Sequence, residues 1–152
     1  MSLRWLLAAV HLLAFGIGLG AVGMRARALR GPFDRPGLRR TFSADSWWGL
    51  AALLWISTGL ARTFAGYEKG TSYYLHNRLF VLKLALVGAI LVLELMPLVG
   101  LLHWRAALAR GAEPDTRLAL RYHRISQVEA VLVVLIVILA TGVARGVGSG
   151  GQ

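Results

Sequence analysis

Apolar residues gather into four long runs, at about 3–24, 47–65, 79–104 and 125–144, separated by short polar connections. The hydrocarbon core of a bilayer is roughly 30 Å thick and takes about 20 mainly apolar residues to cross as a helix. Each run meets that length, and little chain is left for a separate soluble domain. The pattern predicts an all-α protein of one domain: an integral membrane four-helix bundle, antiparallel and left-handed. The third run, "LFVLKLALVGAILVLEL", carries two charges, Lys83 and Glu94. Each costs about 2.5–3.5 kcal/mol at the bilayer centre on an insertion scale, so each needs a reason to be there.

The connections carry the turn signals. Gly31, Pro32, Pro36 and Gly37 break the first. Asp45 or Ser46 is placed to cap the second helix, which opens on Trp47 and Trp48, where indole rings favour the membrane interface. Pro97 lies inside the third run and is expected to kink it. "RALRGPFDRP" after the first run is echoed by "RAALARGAEPD" after the third. The echo suggests two parallel repeats related by an axis along the membrane normal, with His11 and Lys83 in comparable places.

Composition sharpens this picture. Of 152 residues 57% are hydrophobic and none is Cys, which excludes disulfides and thiolate metal sites. The net charge of +10 would point to nucleic acid in a soluble protein. Here the arginines cluster between runs, so they read as topology signals, and no nucleic-acid partner is expected. Six arginines (25, 27, 30, 35, 39, 40) follow the first run and five (105, 110, 117, 121, 124) follow the third. The other side holds five basic residues: Arg4, Arg62, Lys69, Arg78 and Arg145. Both termini are therefore expected outside, with loops 25–46 and 105–124 cytoplasmic, in a multi-pass protein of the cytoplasmic (inner) membrane. The arginine loops also suit anionic headgroups. The first run is too long for a signal-peptide core and six arginines follow it, so it is expected to stay as an anchor.

Several residues carry candidate chemistry. "GLGAVG" matches a dinucleotide fingerprint, but inside an apolar helix its N–H groups are already bonded. Gly16 and Gly20, with Gly23 one turn on, instead suggest close approach of a neighbouring helix. His11 is either a satisfied intramembrane histidine or a ligand, and Gly18, seven residues on, shares its face and leaves room for a flat cofactor. Lys83 and Glu94 lie on one stripe, roughly 16 Å apart along the helix, too far to pair. Lys83 is close enough to the boundary to snorkel. Glu94 and Glu129 sit at similar depth and need a cation; Arg105 and Arg124 are the candidates, and a structural salt bridge or a proton path are the two roles. Thr58, Arg62, His76, Arg78, Tyr73 and Tyr74 give the outer mouth a polar, aromatic character. His103 and His123 read as interface residues.

"WWGLAALLWISTGLAR" and "EKGTSYYLHNRLFVLK" resemble an uncharacterised bacterial family of predicted membrane proteins, over nearly the whole chain. More remotely, His11 with "FGIGLG", Lys83 in "RLFVLKL" and Glu129 in "ISQVEAVLVV" are similar to the CopD copper-resistance proteins and to HemJ-type protoporphyrinogen oxidases. That resemblance implies His11 and Lys83 as ligands of haem b and Glu129 as an ion-pair or proton group. Where HemJ-like proteins carry a further His after the first span, this chain has Met24, Arg25 and Arg27. Three readings follow: a haem-associated redox protein, a non-catalytic accessory subunit in a homo-oligomer or larger membrane complex, and a copper or ion permease.

Overall fold

The computed structural model describes residues 3–64 and 78–145. The end of the second predicted run, the tyrosine-rich connection with Tyr73, Tyr74 and His76, and the glycine-rich tail lie outside the described residues. Four helices follow in order: α1 Leu3–Ala28, α2 Arg35–Phe64, α3 Arg78–Ala109 and α4 Ala119–Ala144. No strand occurs among the described residues.

The helices overrun the predicted apolar runs at the arginine-rich end. α1 continues four residues past Met24 and takes Arg25 and Arg27 into its last turns. α2 begins at Arg35 rather than near Trp47, because Asp34 supplies the cap: its Oδ1 accepts the Gly37 amide hydrogen at 2.8 Å. Pro36 falls in the first turn, where a missing N–H costs nothing. A side chain at Gly37 would collide with the Pro32 carbonyl, so the tight entry into α2 requires glycine. Asp45 and Ser46, expected as caps, are interior residues of α2.

α3 runs through the fully buried Pro97 without a break. It ends in a Schellman motif: Gly111 sits at φ +74°, its amide bonds Leu108 O at 3.0 Å, and Ala112 N bonds Ala107 O at 3.0 Å. In the following loop Asp115 and Arg117 form an exposed pair, which holds the Asp115 carboxyl down at about 2.

The order is antiparallel throughout. Residues rising along α1 meet residues falling along α2: His11 with Thr58, Gly18 with Ala51 and Trp48, Arg25 with Asp45. α4 returns beside both α3 and α1, since Gly100 faces Tyr122 and His123 Nδ1–H donates to Ala26 O at 2.7 Å. α2 and α3 meet mainly through long side chains, Trp48 to Glu94 and Arg105 to Asp45.

Two apolar layers fill the interior. One is built on Ala21, Val22, Trp48, Ile90, Val133 and Ile136. The other, nearer the arginine-rich end, is built on Leu29, Leu38, Leu101, Trp104, Ala119 and Tyr122. The outer faces stay apolar as well: Leu13 is 66% exposed, Val92 69% and Ile138 59%, as lipid contact requires.

Three helices are long and apolar enough to cross a membrane: α1, α3 and residues Ala119–Gly142 of α4. α2 falls short of that measure, against the four spans read from the sequence. Its second half mixes Leu50, Leu53, Leu54 and Leu60 with Gly49, Trp55, Ser57, Thr58, Gly59 and Arg62, which dilutes its apolarity.

The glycines act differently from the GxxxG reading. Added Cβ atoms at Gly16, Gly20 and Gly23 would meet nothing within 4 Å. These three face outward. Gly18 is the close contact, with Ala51 Cβ and Trp48 Cζ3 each 3.4 Å from where its Cβ would stand.

Candidate functional site: an arginine enclosed by three carboxylates

Between the two apolar layers lies a charged one. Its centre is Arg25, which has no exposed surface. The residue sits on the inward stripe of α1 that also carries Ala14, Gly18, Ala21 and Val22. That stripe is made of small residues, so α2 and α4 come close and the long guanidinium side chain reaches three other helices.

All five N–H donors of Arg25 are used. Nε donates to Ser126 Oγ at 3.0 Å. One terminal nitrogen donates to Asp45 Oδ1 at 2.9 Å and Glu94 Oε1 at 2.7 Å. The other donates to Glu94 Oε2 at 2.7 Å and Glu129 Oε2 at 2.7 Å. The pair with Glu94 is thus bidentate, the strongest common form of such a bond. Ser126 passes its own hydroxyl proton to Tyr122 O at 3.0 Å. Trp48 Nε1–H adds a bond to Glu94 Oε2 at 3.0 Å, and its ring lies 6.0 Å from the guanidinium carbon.

A second cation closes the edge. Arg105 donates to Asp45 Oδ2 at 2.9 Å, to Phe42 O at 3.0 Å and to Ser46 Oγ at 3.2 Å. Exposure is graded across the centre. The side chains of Glu94 and Asp45 keep 19% and 11%, whereas Glu129 keeps none. Glu94 Oε2 and Glu129 Oε2 accept from the same terminal nitrogen of Arg25, which brings the two carboxylates together. Glu129 Oε1 is buried and receives no hydrogen bond from the described residues.

Such a centre can do two things chemically. It ties four helices through one side chain, and a buried pair broken at one partner is costly. It also carries a charge imbalance: three carboxylates face two guanidiniums. One bound proton would make it neutral.

The sequence-derived residues separate into two groups. Glu94 and Glu129 come together as expected, but their cation is Arg25 rather than Arg105 or Arg124. Arg25 itself, assigned to a cytoplasmic loop, belongs to the core. His11, Gly18, Lys83 and Arg62 lie toward the other end. His11 Nδ1 is 2.9 Å from Thr58 Oγ1. The Thr58 hydroxyl donates to Leu54 O at 2.6 Å, so the histidine Nδ1–H is the donor toward Thr58. The ring stacks on Trp55 at 5.9 Å, and Gly59 leaves the space it occupies. Arg62 follows Thr58 by one turn of α2 and is half-buried. Lys83 is half-buried, its ammonium 4.8 Å from the centroid of the buried Phe80 ring. Beside Gly18 the space is taken by Trp48 and Ala51. No group of three or more His, Asp or Glu side chains suited to a metal ion occurs among the described residues.

A family model for a predicted membrane protein, DUF2214, matches residues 3–148. The chain belongs to that family. Its description assigns no activity. No curated protein and no solved structure matches the chain.

Proposed function

We propose that this protein is an ion-handling membrane protein of the permease type, and that the ion is the proton. The observation that supports this is the excess carboxylate at the Arg25 centre, with Glu129 sealed inside and its Oε1 lacking a donor among the described residues. Ionisable groups within membrane segments mark ion pathways and proton relays often enough to be a default functional reading.

In this reading one proton resides on the Glu94–Glu129 pair. It exchanges with the arginine-rich aqueous face by way of Glu94 and Asp45, the two carboxylates that keep some exposure. Uptake converts one carboxylate to a carboxylic acid and adds one positive charge to the centre; release reverses both. His11, about 21 Å further along α1, offers a second imidazole station able to carry a proton. The layer of Val22, Trp48, Ile90 and Ile136 lies between them, so the two stations are separated by an apolar plug rather than joined by an open channel. α2 crosses the membrane beside α1 in this reading, since the two pair from Asp45 to Thr58. The arginine-rich end faces the cytoplasm of an inner-membrane protein, with both termini outside.

Infrared difference spectroscopy of the purified protein tests the reading. A protonated carboxyl band should be present at neutral pH, shift in D2O, and vanish in Glu129→Gln. In proteoliposomes with an internal pH dye, wild type should take up protons and Glu129→Gln should not, while Arg117→Gln should match wild type. Absence of both the band and the uptake overturns the proposal. The visible absorption spectrum of the same preparation checks the haem expectation at His11 and Lys83.

A further inference from the structure

A separate groove runs along the outside of α2, at the end of the molecule where α1 and α3 terminate. It encloses about 400 Å³ between α2 and the last turns of α3. Its polar side is a stripe of α2: Arg35 and Arg39 one turn apart, then Ser43 and Ser46. Its apolar side is Leu38, Phe42 and, from α3, Leu108. No carboxylate lines it. Arg35 and Arg39 are exposed and take part in no ion pair among the described residues. The nearby Asp34 carboxylate is engaged in capping α2. Behind Phe42 and Ser46 stands Arg105, its guanidinium carbon 5.1 Å from the Phe42 ring centroid, with a buried Nε that makes no hydrogen bond to the described residues.

We infer that this groove binds an anionic phospholipid, with the phosphodiester between Arg35 and Arg39 and one acyl chain over Leu38, Phe42 and Leu108. Three features carry the inference. The groove opens beside the end of α3, one of the three helices able to cross a membrane, so it stands at headgroup depth. Its charge is positive with no acidic counterpart, which favours a net-negative headgroup over one that also carries an ammonium. Its apolar wall of Leu38, Phe42 and Leu108 has no use for a free phosphate but suits an acyl chain. The serine hydroxyls supply donors for the remaining phosphate oxygens or the glycerol headgroup.

The test uses the full chain in nanodiscs of phosphatidylcholine doped with labelled phosphatidylglycerol, followed by native mass spectrometry of lipids retained after gentle release. Wild type should retain phosphatidylglycerol well above its share of the bilayer. Arg35→Gln with Arg39→Gln should lower that retention by on the order of tenfold. Arg110→Gln with Arg117→Gln removes the same charge outside the groove and should leave retention unchanged. Leu108→Asn should weaken retention without altering charge. Equal retention of both lipids, an equal drop in the two arginine pairs, or full displacement by inorganic phosphate each overturns the inference. None of these variants touches Arg25, Glu94 or Glu129, so the carboxyl band of the proton reading is measured independently on the same samples.

Discussion

Arg25 and Glu94 face each other across α1 and α3 through two parallel N–H···O bonds of 2.7 Å, in a layer bounded above and below by hydrocarbon. The relationship joins the last turn of one helix to the midpoint of another. It is why Glu94 can stand in the middle of an apolar helix. Removing the cation should therefore be severe. Arg25→Met fills a similar volume but leaves Glu94, Asp45 and Glu129 without it, and the expected loss is about 3–5 kcal/mol. Thermal unfolding in detergent, followed by tryptophan fluorescence, measures it. Arg25→Lys keeps the charge and loses the fork, so it should fall between the two.

The two glutamates should respond unequally. Glu94→Gln breaks the bidentate pair and weakens the bond from Trp48, with an expected cost of about 2–3 kcal/mol. Glu129→Gln keeps an acceptor for Arg25 and stands in for a protonated carboxyl, so it should change stability by less than about 1 kcal/mol. Unfolding midpoints of the two variants side by side decide this. An equal loss would mean that Glu129 is ionised and holds Arg25 as strongly as Glu94 does.

Much of the frame was legible in the runs of apolar residues, because helices in lipid must satisfy their backbone internally and so declare themselves by length. The partnership of Glu94 and Glu129 was legible too, since two acids at one depth need a cation. Arg25 does not declare itself as that cation, because a cation in the last turn of a helix looks the same in sequence whether it faces water or the core. One signal was available: Arg25 continues the small-residue stripe of Ala14, Gly18 and Ala21 at helical spacing. Asp45 was hidden for a related reason. α2 begins twelve residues before its apolar run, and a polar helical extension leaves no mark in hydropathy. At Gly18 the sequence shows only that something comes close; the neighbours are Trp48 and Ala51.

Moving Arg25 into the core takes one charge from the arginine-rich side but does not reverse the asymmetry. Ten arginines remain there, against five basic residues at the other end. The orientation should follow the positive-inside rule. A reporter that folds only outside the cytoplasm should be active when fused after Gln152 and silent after Gly111. The opposite pattern would place the arginine loops outside. Activity after Gln152 together with activity after Gly111 would mean that α4 does not cross.

The glycines divide by what they touch, and that division is measurable. At Gly100 a Cβ would land on the Tyr122 hydroxyl and ring, in a cluster where Tyr122 and Trp104 are buried and Leu101 has no exposed surface. Tyr122 cannot retreat easily, because its ring also packs on Trp104 at 5.9 Å. Gly100→Ala should cost about 1–3 kcal/mol through overpacking. Adding Tyr122→Phe should recover only part of this, since the ring as well as the hydroxyl stands in the way. Gly20→Ala meets nothing within 4 Å among the described residues. It should be neutral or stabilise by up to about 1 kcal/mol, because alanine forms helix more readily. Unfolding midpoints and elution volume on size exclusion read both changes. If Gly20→Ala instead breaks up a larger species without altering the monomer's midpoint, the outward face of Gly16, Gly20 and Gly23 packs on a second copy of the chain.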